Sequence, residues 1–490
     1  MPKPLAPILL VLLAGCAVGP AYQAPLTEVP AAYRAGTETG GTWPAADWWR
    51  GFASPELDAL IADARTNSPD IQAALARIRQ ADAQLRLAGA SFWPTVGLSA
   101  DAQWARSPQS RRSGSQLVPT GRYSESRSYG IGPSISWEAD LWGRLAAGRD
   151  AAASAALATR FDERSIALSV VTAVASTWFQ ALAMQDRVDV ATRNLADAEQ
   201  VLAAISARAQ VGTASQLDVA QQGALVAGVR ARIPGLRSQL EQQVNALGVL
   251  TGRTPAALTV RPGTLANLAL PPVAAGLPSE LLARRPDIAA AEADLRGANA
   301  NIRAARAAFF PSVSLSGRLG FENIALATLF GPGSLAVSAL ASVSQAIFDG
   351  GNRSANLERN RGRYDELLAT YRRVVIEAFT DVEDGVQAWR YTTEQEALTR
   401  IAVATSQRAA DIARAQLLAG TIDLIAVLNA QNTLFSNLDT LAQVRLARFQ
   451  DCCRSTRRSA AAGVRPNWPW RCRDPISHLM RTLCSASSLS

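Results

Sequence analysis

Two periodicities alternate along this chain. From Val96 onward every second residue is apolar, with Val96, Leu98, Ala100, Ala102 and Trp104 set against Thr95, Gly97, Ser99, Asp101 and Gln103. The same alternation runs through Tyr129, Ile131, Pro133, Ile135 and Trp137, and again through Val313, Leu315, Gly317, Leu319 and Phe321. A fourth stretch, from about Leu335 to Phe348, keeps Val337, Ala339, Ala341 and Val343 in phase. A strict period of two predicts strands with one apolar and one polar face. Strands of about ten residues with aromatics near their ends fit the wall of a transmembrane barrel. A soluble β-layer packed on helices would alternate in the same way. Four strands cannot close a barrel, since the smallest need about eight, and lipid does not tolerate open edges. In a membrane the chain must therefore oligomerise. The Ser-, Arg- and Gly-rich link from Ser107 to Arg122 predicts an exposed loop.

Between these strands the period changes to that of a helix. About seventy residues with few breakers precede Gly212, and the stretch from Asn352 to Gly420 repeats them, so each predicts a helix on the order of 100 Å long. Leu195, Ala198, Leu202, Ile205 and Ala209 are spaced as a coiled-coil seam. Val229, Ile233, Leu236, Leu240, Leu247 and Leu250 continue one in the next helix, where Pro234-Gly235 predicts a kink. The run from Ser165 to Gln185 carries no charge and has the length of a membrane span. Its Ser165, Ser169, Thr172, Ser176, Thr177 and Gln180 favour a helix–helix interface with one wet side. The corresponding run further on holds Glu377, Asp381, Glu383 and Asp384, which excludes a paired span.

The alternation is a duplication. Ser68-Pro69-Asp70-Ile71 leads through an alanine-rich helix to Phe92-Trp93-Pro94, and Arg285-Pro286-Asp287-Ile288 leads through another to Phe309-Phe310-Pro311. Each long helix then turns back at a matched hairpin, Gly212-Thr213-Ala214-Ser215-Gln216-Leu217-Asp218 and Gly420-Thr421-Ile422-Asp423-Leu424-Ile425-Ala426. Glycine supplies the left-handed cap there, and small polar residues begin the return helix. Such a repeat fixes the architecture of the whole chain.

The N-terminus predicts a secretory leader, with Lys3, an apolar run from Ile8 to Leu13, and small residues after it. Leu13-Ala14-Gly15-Cys16 resembles the bacterial lipobox, whose cysteine is lipidated after cleavage; the alternative is an ordinary signal peptide with a chance cysteine. Ala17 beside it favours the outer membrane by the same resemblance. The formal net charge of +8 is concentrated at the ends, in Lys3 and in a tail, residues 452–490, with seven Arg against Asp474. The body is close to neutral and shows no clustered basic face, so a nucleic-acid partner is not expected. The single histidine is His478, and no Gly-rich phosphate loop or Cys/His spacing points to a cofactor or metal outside the tail. Enzymatic acid–base or nucleophilic chemistry is not expected.

The leader and lipobox, Cys16-Ala17-Val18-Gly19-Pro20, Trp48-Trp49 with Phe52, Pro55-Glu56-Leu57 and the two long halves together resemble the TolC-like outer membrane factor family, in particular its NodT-type lipoproteins. The resemblance covers residues 1 to about 451. It implies a mixed α and β membrane protein. In such a homotrimer a twelve-stranded β-barrel, four strands per chain, is continued by a long α-helical periplasmic barrel, and chain termini and inter-repeat segments form a belt around the helices. It further implies a passive exit duct, joined at its helical tips by a periplasmic adaptor and an inner-membrane pump of the resistance-nodulation-division type. The organisation expected is a leader over 1–15, a lipid-anchored segment and equatorial region over 16–67, repeats over 68–284 and 285–451, and an aberrant tail over 452–490. The tip residues implied are Gly212, Thr213, Leu217, Asp218, Gly420, Thr421 and Ile425, with lipid on Cys16. Family tips often carry a ring of aspartates. Asp218 fits one such place, but Ala426 and Asn429 hold the matching places in the second hairpin, and Asp423 is out of register. Asp218 is thus either a gate charge or a carboxylate stabilised by the helix dipole. A type I protein-secretion duct, or a structural periplasmic coiled-coil lipoprotein, are the alternative functions.

The tail departs from the resemblance. Family chains commonly close the last helix with Leu-Leu-Ser-Leu-Tyr-Lys-Ala-Leu-Gly-Gly-Gly-Trp. Written in GC-rich codons with one base removed, that phrase reads Cys-Cys-Arg-Ser-Thr-Arg-Arg-Ser-Ala-Ala-Ala-Gly, which is the sequence of residues 452–463. The expectation is out-of-frame translation, with the last helix cut short at Asp451; the alternative is a divergent basic tail.

Overall fold

The computed structural model describes residues 21–25, 30, 33, 34, 47–113, 116–271, 282 and 284–460. Cys16 lies outside them, as does the tail beyond Ala460. A 3-10 turn, Trp48–Phe52, precedes helix α1 (Pro55–Asn67), which starts at Ser54, whose hydroxyl accepts from the Leu57 amide. Helix α2 (Pro69–Ala90) leads into the hairpin of β1 (Thr95–Ser113) and β2 (Gln116–Ala139), and α3 (Arg144–Gln210) turns back as α4 (Gln216–Thr251). The second copy repeats this with α5 (Pro286–Ala307), β3 (Ser312–Asn323), β4 (Leu335–Ser344), α6 (Asn352–Leu418) and α7 (Leu424–Ala460). The copies match closely in their helices: α2 and α5 have 22 residues each, α3 and α6 have 67 each.

The four strands form one antiparallel sheet in the order β1-β2-β3-β4, in the alternating phase expected from the sequence. The link from Ser107 to Arg122 is exposed where it is described but is not a loop. The ladder continues through Pro108↔Tyr123 and, after a register shift, through Ser110↔Pro119 to Ser113↔Gln116. Backbone pairing needs no apolar side chains, so polar arms can extend a hairpin into water. Strand β4 ends at Ser344, short of Phe348.

Tryptophans fasten the strands to the helices. Trp137 Nε1 donates to the Phe92 carbonyl at 2.9 Å, and Trp142 Nε1 donates to the Pro311 carbonyl at 2.7 Å while stacking on Phe310. Both duplicated aromatic–proline corners are thereby held by tryptophans at the end of β2 and just beyond it.

The main core lies midway along the long helices. Trp48, Phe52, Leu57 and Ile61 of the N-terminal part pack against Val174 and Phe179 of α3, joined by Leu265 of the inter-repeat segment and Phe449 of α7. This places the uncharged run from Ser165 to Gln185 in a protein interface. The seam residues Ala198, Ile205, Val229, Ile233 and Leu247 are buried, and Leu195, Leu202 and Leu240 are half-buried. Pro234 lies within α4 without ending it.

The last helix is not cut at Asp451. It runs to Ala460, and Cys452 and Cys453 are fully buried in the main core. Cysteine behaves there as a small hydrophobe. Burial pushes the Cys453 thiol well above its ordinary pKa, so it is unreactive.

Candidate functional site

The far ends of the helices, away from the sheet, are two hairpins with one backbone solution. Gly212 and Gly420 both adopt positive φ, +79° and +75°. The Thr213 amide donates to the Arg208 carbonyl and the Thr421 amide to the Gln416 carbonyl, each at 2.9 Å, which closes both helix ends in a Schellman turn. Each threonine hydroxyl donates to that same carbonyl. A side chain at either glycine would sit in the strained left-handed region.

The return helices start differently. In α4, Ser215 and Asp218 form a capping box: the Asp218 amide donates to Ser215 Oγ at 3.0 Å and the Ser215 amide to Asp218 Oδ2 at 2.9 Å. In α7, Asp423 Oδ1 accepts from the Ala426 amide at 3.0 Å. The two aspartates are out of register because each caps its helix from a different place.

The hairpins hold each other. Val201, Ile205, Leu417, Leu424 and Val427 form a small buried core between them. Arg208 of α3 reaches across and donates from Nη1 to the Leu417 carbonyl at 2.6 Å, beside Gly420, while Arg414 pairs with Asp197 at 3.3 Å. The sequence reading missed Arg208; its place one turn before Gly212 was the only signal. Outside this core, Leu217 and Ile425 occupy equivalent positions and are 64% and 55% exposed. Gly212, Thr213, Gly420 and Thr421 are exposed and Asp218 is half-buried, so all seven tip residues gather at one end. Among the described residues no group of three or more His, Cys, Asp or Glu is placed to hold a metal.

The family described as outer membrane efflux protein matches residues 60–253 and 277–452. The chain is 36% identical over 405 residues to the pyoverdine export outer membrane protein OpmQ of Pseudomonas putida, covering 82% of this chain and 85% of that one. It is 29% identical to the cation efflux system protein CusC of Escherichia coli, over 91% and 96% of the two chains. Among solved structures it superposes on the outer-membrane channel OprN with a TM-score of 0.83 at 28% identity, over 91% of this chain and 99% of that one. On the open state of the MtrE channel of Neisseria gonorrhoeae the TM-score is 0.79 at 27% identity, over 91% and 98%. Four strands beside two pairs of long helices make one third of such a channel. This chain belongs to the outer membrane efflux protein family, whose members are homotrimeric outer-membrane channels, not enzymes, with a twelve-stranded barrel continued by a long periplasmic helical part.

Proposed function

We propose that this chain is the passive exit duct of a tripartite efflux system, served by an inner-membrane pump of the resistance-nodulation-division type through a periplasmic adaptor. The observation that carries this reading is the pair Leu217 and Ile425, equivalent apolar side chains exposed at both tips. Set around a trimer they offer the adaptor a regular apolar ring, with Gly212, Thr213, Gly420 and Thr421 as its backbone frame. Dilation of the tips would act on the Arg208–Leu417 contact, which joins one hairpin to the other. Asp218 caps α4 and, recurring around the trimer, is the candidate gate charge. Cys16 is the proposed lipid attachment site, where acyl chains would add about 0.8 kcal/mol per buried methylene to membrane anchoring. The relatives are named for cargoes as different as pyoverdine and cations, as suits a duct that barely selects what passes.

The test is resistance to the pump's toxic cargo in cells lacking this gene. The wild-type chain should restore it. Leu217→Glu with Ile425→Glu should not, although normal amounts of trimer reach the outer membrane. Full resistance with the double variant sinks the tip assignment. A lost secreted polypeptide with unchanged resistance moves the duct to type I secretion. For Cys16, acyl mass on the N-terminal peptide, absent from Cys16→Ala, is the expected result. For the tail we propose a frameshift, and resequencing decides it: a single-base change should restore a frame that ends the helix in a Gly-Gly-Trp-like phrase.

A further inference from the structure

Helices α2, α3, α5 and α6 stand in a row, each packed on the next. The two ends of the row nevertheless wall one cavity of about 410 Å³, with Ala88 of α2 and Ser91 just after it, and Asn356, Arg359 and Asn360 from α6. A flat row could not bring its ends to one space, so the row curls and the cavity lies on its concave side. In the closed tunnel of the trimer that side is the lumen. The chain also fixes its level. Helices α2 and α5 end, and α3 and α6 begin, next to the strands, so the cavity sits at the neck beneath the barrel.

The charge of this neck is one-sided. Arg144, Arg149 and Arg359 line it together with Asn301, Asn356 and Asn360, and no acidic side chain does. Arg144 is paired with Glu138 at 2.7 Å. Arg359 donates only to Asn356 Oδ1, at 2.7 Å, and neither it nor Arg149 has a carboxylate partner among the described residues. The helix starts are already capped: Asp140 accepts from the Leu145 and Ala146 amides, and Asp349 from the Gly351 and Arg353 amides. Two unopposed guanidinium groups line the cavity with the amides of Asn301 and Asn356, while Asn360 Nδ2 donates to the Asn356 carbonyl at 2.7 Å.

We propose that this neck cavity is an oxyanion-binding site for a carboxylate or phosphate carried by a solute in transit. The solute's route rests on the duct reading; the binding itself does not. Guanidinium forks match both oxyanions in bidentate geometry, and asparagine amides add neutral donors. The trimer repeats the site around its neck, so anionic groups leaving the helical tunnel meet a basic collar before the barrel. A phospholipid phosphate of the inner leaflet offers the same chemistry from outside the channel, and the test separates the two.

Citrate and inorganic phosphate are titrated calorimetrically into the purified full-length trimer in detergent, and retained phosphatidylglycerol is measured by native mass spectrometry. Citrate should bind and phosphate should compete. Arg149→Gln with Arg359→Gln should weaken citrate about tenfold or more, with trimers intact by sedimentation. Arg149→Gln alone, at an exposed side chain without an ionic partner, gives a smaller loss in the same direction should the double variant not assemble. Absent citrate binding, or binding indifferent to both variants, overturns the proposal. Retained phosphatidylglycerol that the double variant loses, without citrate binding, assigns the site to lipid and overturns the solute. Citrate binding by a trimer that restores no resistance sinks the duct reading alone.

Discussion

The two copies fill one matched position with opposite chemistry. Glu396 of α6, its side chain 4% exposed, pairs with Arg400 at 2.5 Å, Arg445 at 3.2 Å and Arg448 at 2.8 Å, and Arg448 lies over the Trp389 ring. Helices α3 and α6 start at Arg144 and Asn352, which puts Val188 at the place of Glu396, Thr192 at that of Arg400 and Leu240 at that of Arg448. The first copy has no carboxylate there and keeps one guanidinium, Arg237 at the place of Arg445; the second sets a carboxylate among three. The same helix pair accepts either, so the ion cluster is not what makes the helices pair. Its cost is desolvation, and it tolerates only a complete set of partners. Burial works against the charge on Glu396, and hydrogen bonds from Arg448 and Arg400 outweigh it and hold the carboxyl below the usual range.

The largest predicted effect breaks that cluster. Glu396→Gln should cost about 2–3 kcal/mol, because Arg445 and Arg448, 25% and 21% exposed, lose their anion while Arg400, 58% exposed, turns to water. Denaturant unfolding of the trimer reads this directly. Glu396→Val with Arg448→Leu, which copies the first repeat, should recover most of the loss. A Gln variant within about 0.5 kcal/mol of wild type, the range of an ordinary surface change, would end the contrast. The lowered carboxyl also fixes the pH dependence. Its contribution is present above the ordinary glutamate range, about 4.3, and is lost as pH falls through the lower folded value. The advantage of wild type over Glu396→Gln should therefore persist to mildly acidic pH and vanish only in strong acid.

The ends of α4 and α7 give a second contrast. The two helices end within one residue of matched places, at Thr251 and Ala460, but Val244 and Asn245 of α4 stand where α7 carries Cys452 and Cys453 into the main core beside Phe449. If those positions are leucines in the original frame, the core is now short of methylenes. Cys452→Leu with Cys453→Leu should then raise stability by about 1–2 kcal/mol in the thermal or denaturant midpoint. A loss of similar size would mean the core is built for cysteine and would count against the frameshift.

Much of this was legible in the sequence, for stated reasons. Alternation marked the four strands because each buries one face only, and breaker-free runs marked the long helices. Polar arms such as Ser107 to Ser113 were not legible as strand, since their pairing rests on backbone groups. Nor was the Glu396 cluster, because Arg445 and Arg448 come from another helix. Arg208 was hidden for a similar reason: its acceptor is a backbone carbonyl in the other repeat. The turns at Gly212 and Gly420 could be placed from the duplication alone, because a glycine turn carries its own signature, whereas their reading as tips came from the family resemblance.

The smallest predicted effect concerns the tips, where the copies agree in backbone and differ in carboxylate. Asp218 supports α4 from the third position of its first turn, and Asp423 supports α7 from the residue before it. Both accept from one backbone amide, so Asp218→Ala and Asp423→Ala should each cost about 1 kcal/mol, read as faster amide exchange in the first turn of the affected helix. Equal losses mean that the second copy has moved its tip carboxylate within the cap rather than given it up. Channel conductance in planar bilayers then separates capping from gating. Three gate carboxylates at the tips would make Asp218→Ala change the current while Asp423→Ala does not. If both variants exchange faster and conduct alike, Asp218 is a cap and nothing more, and closure of the tips falls to Arg208 and the small core that it covers.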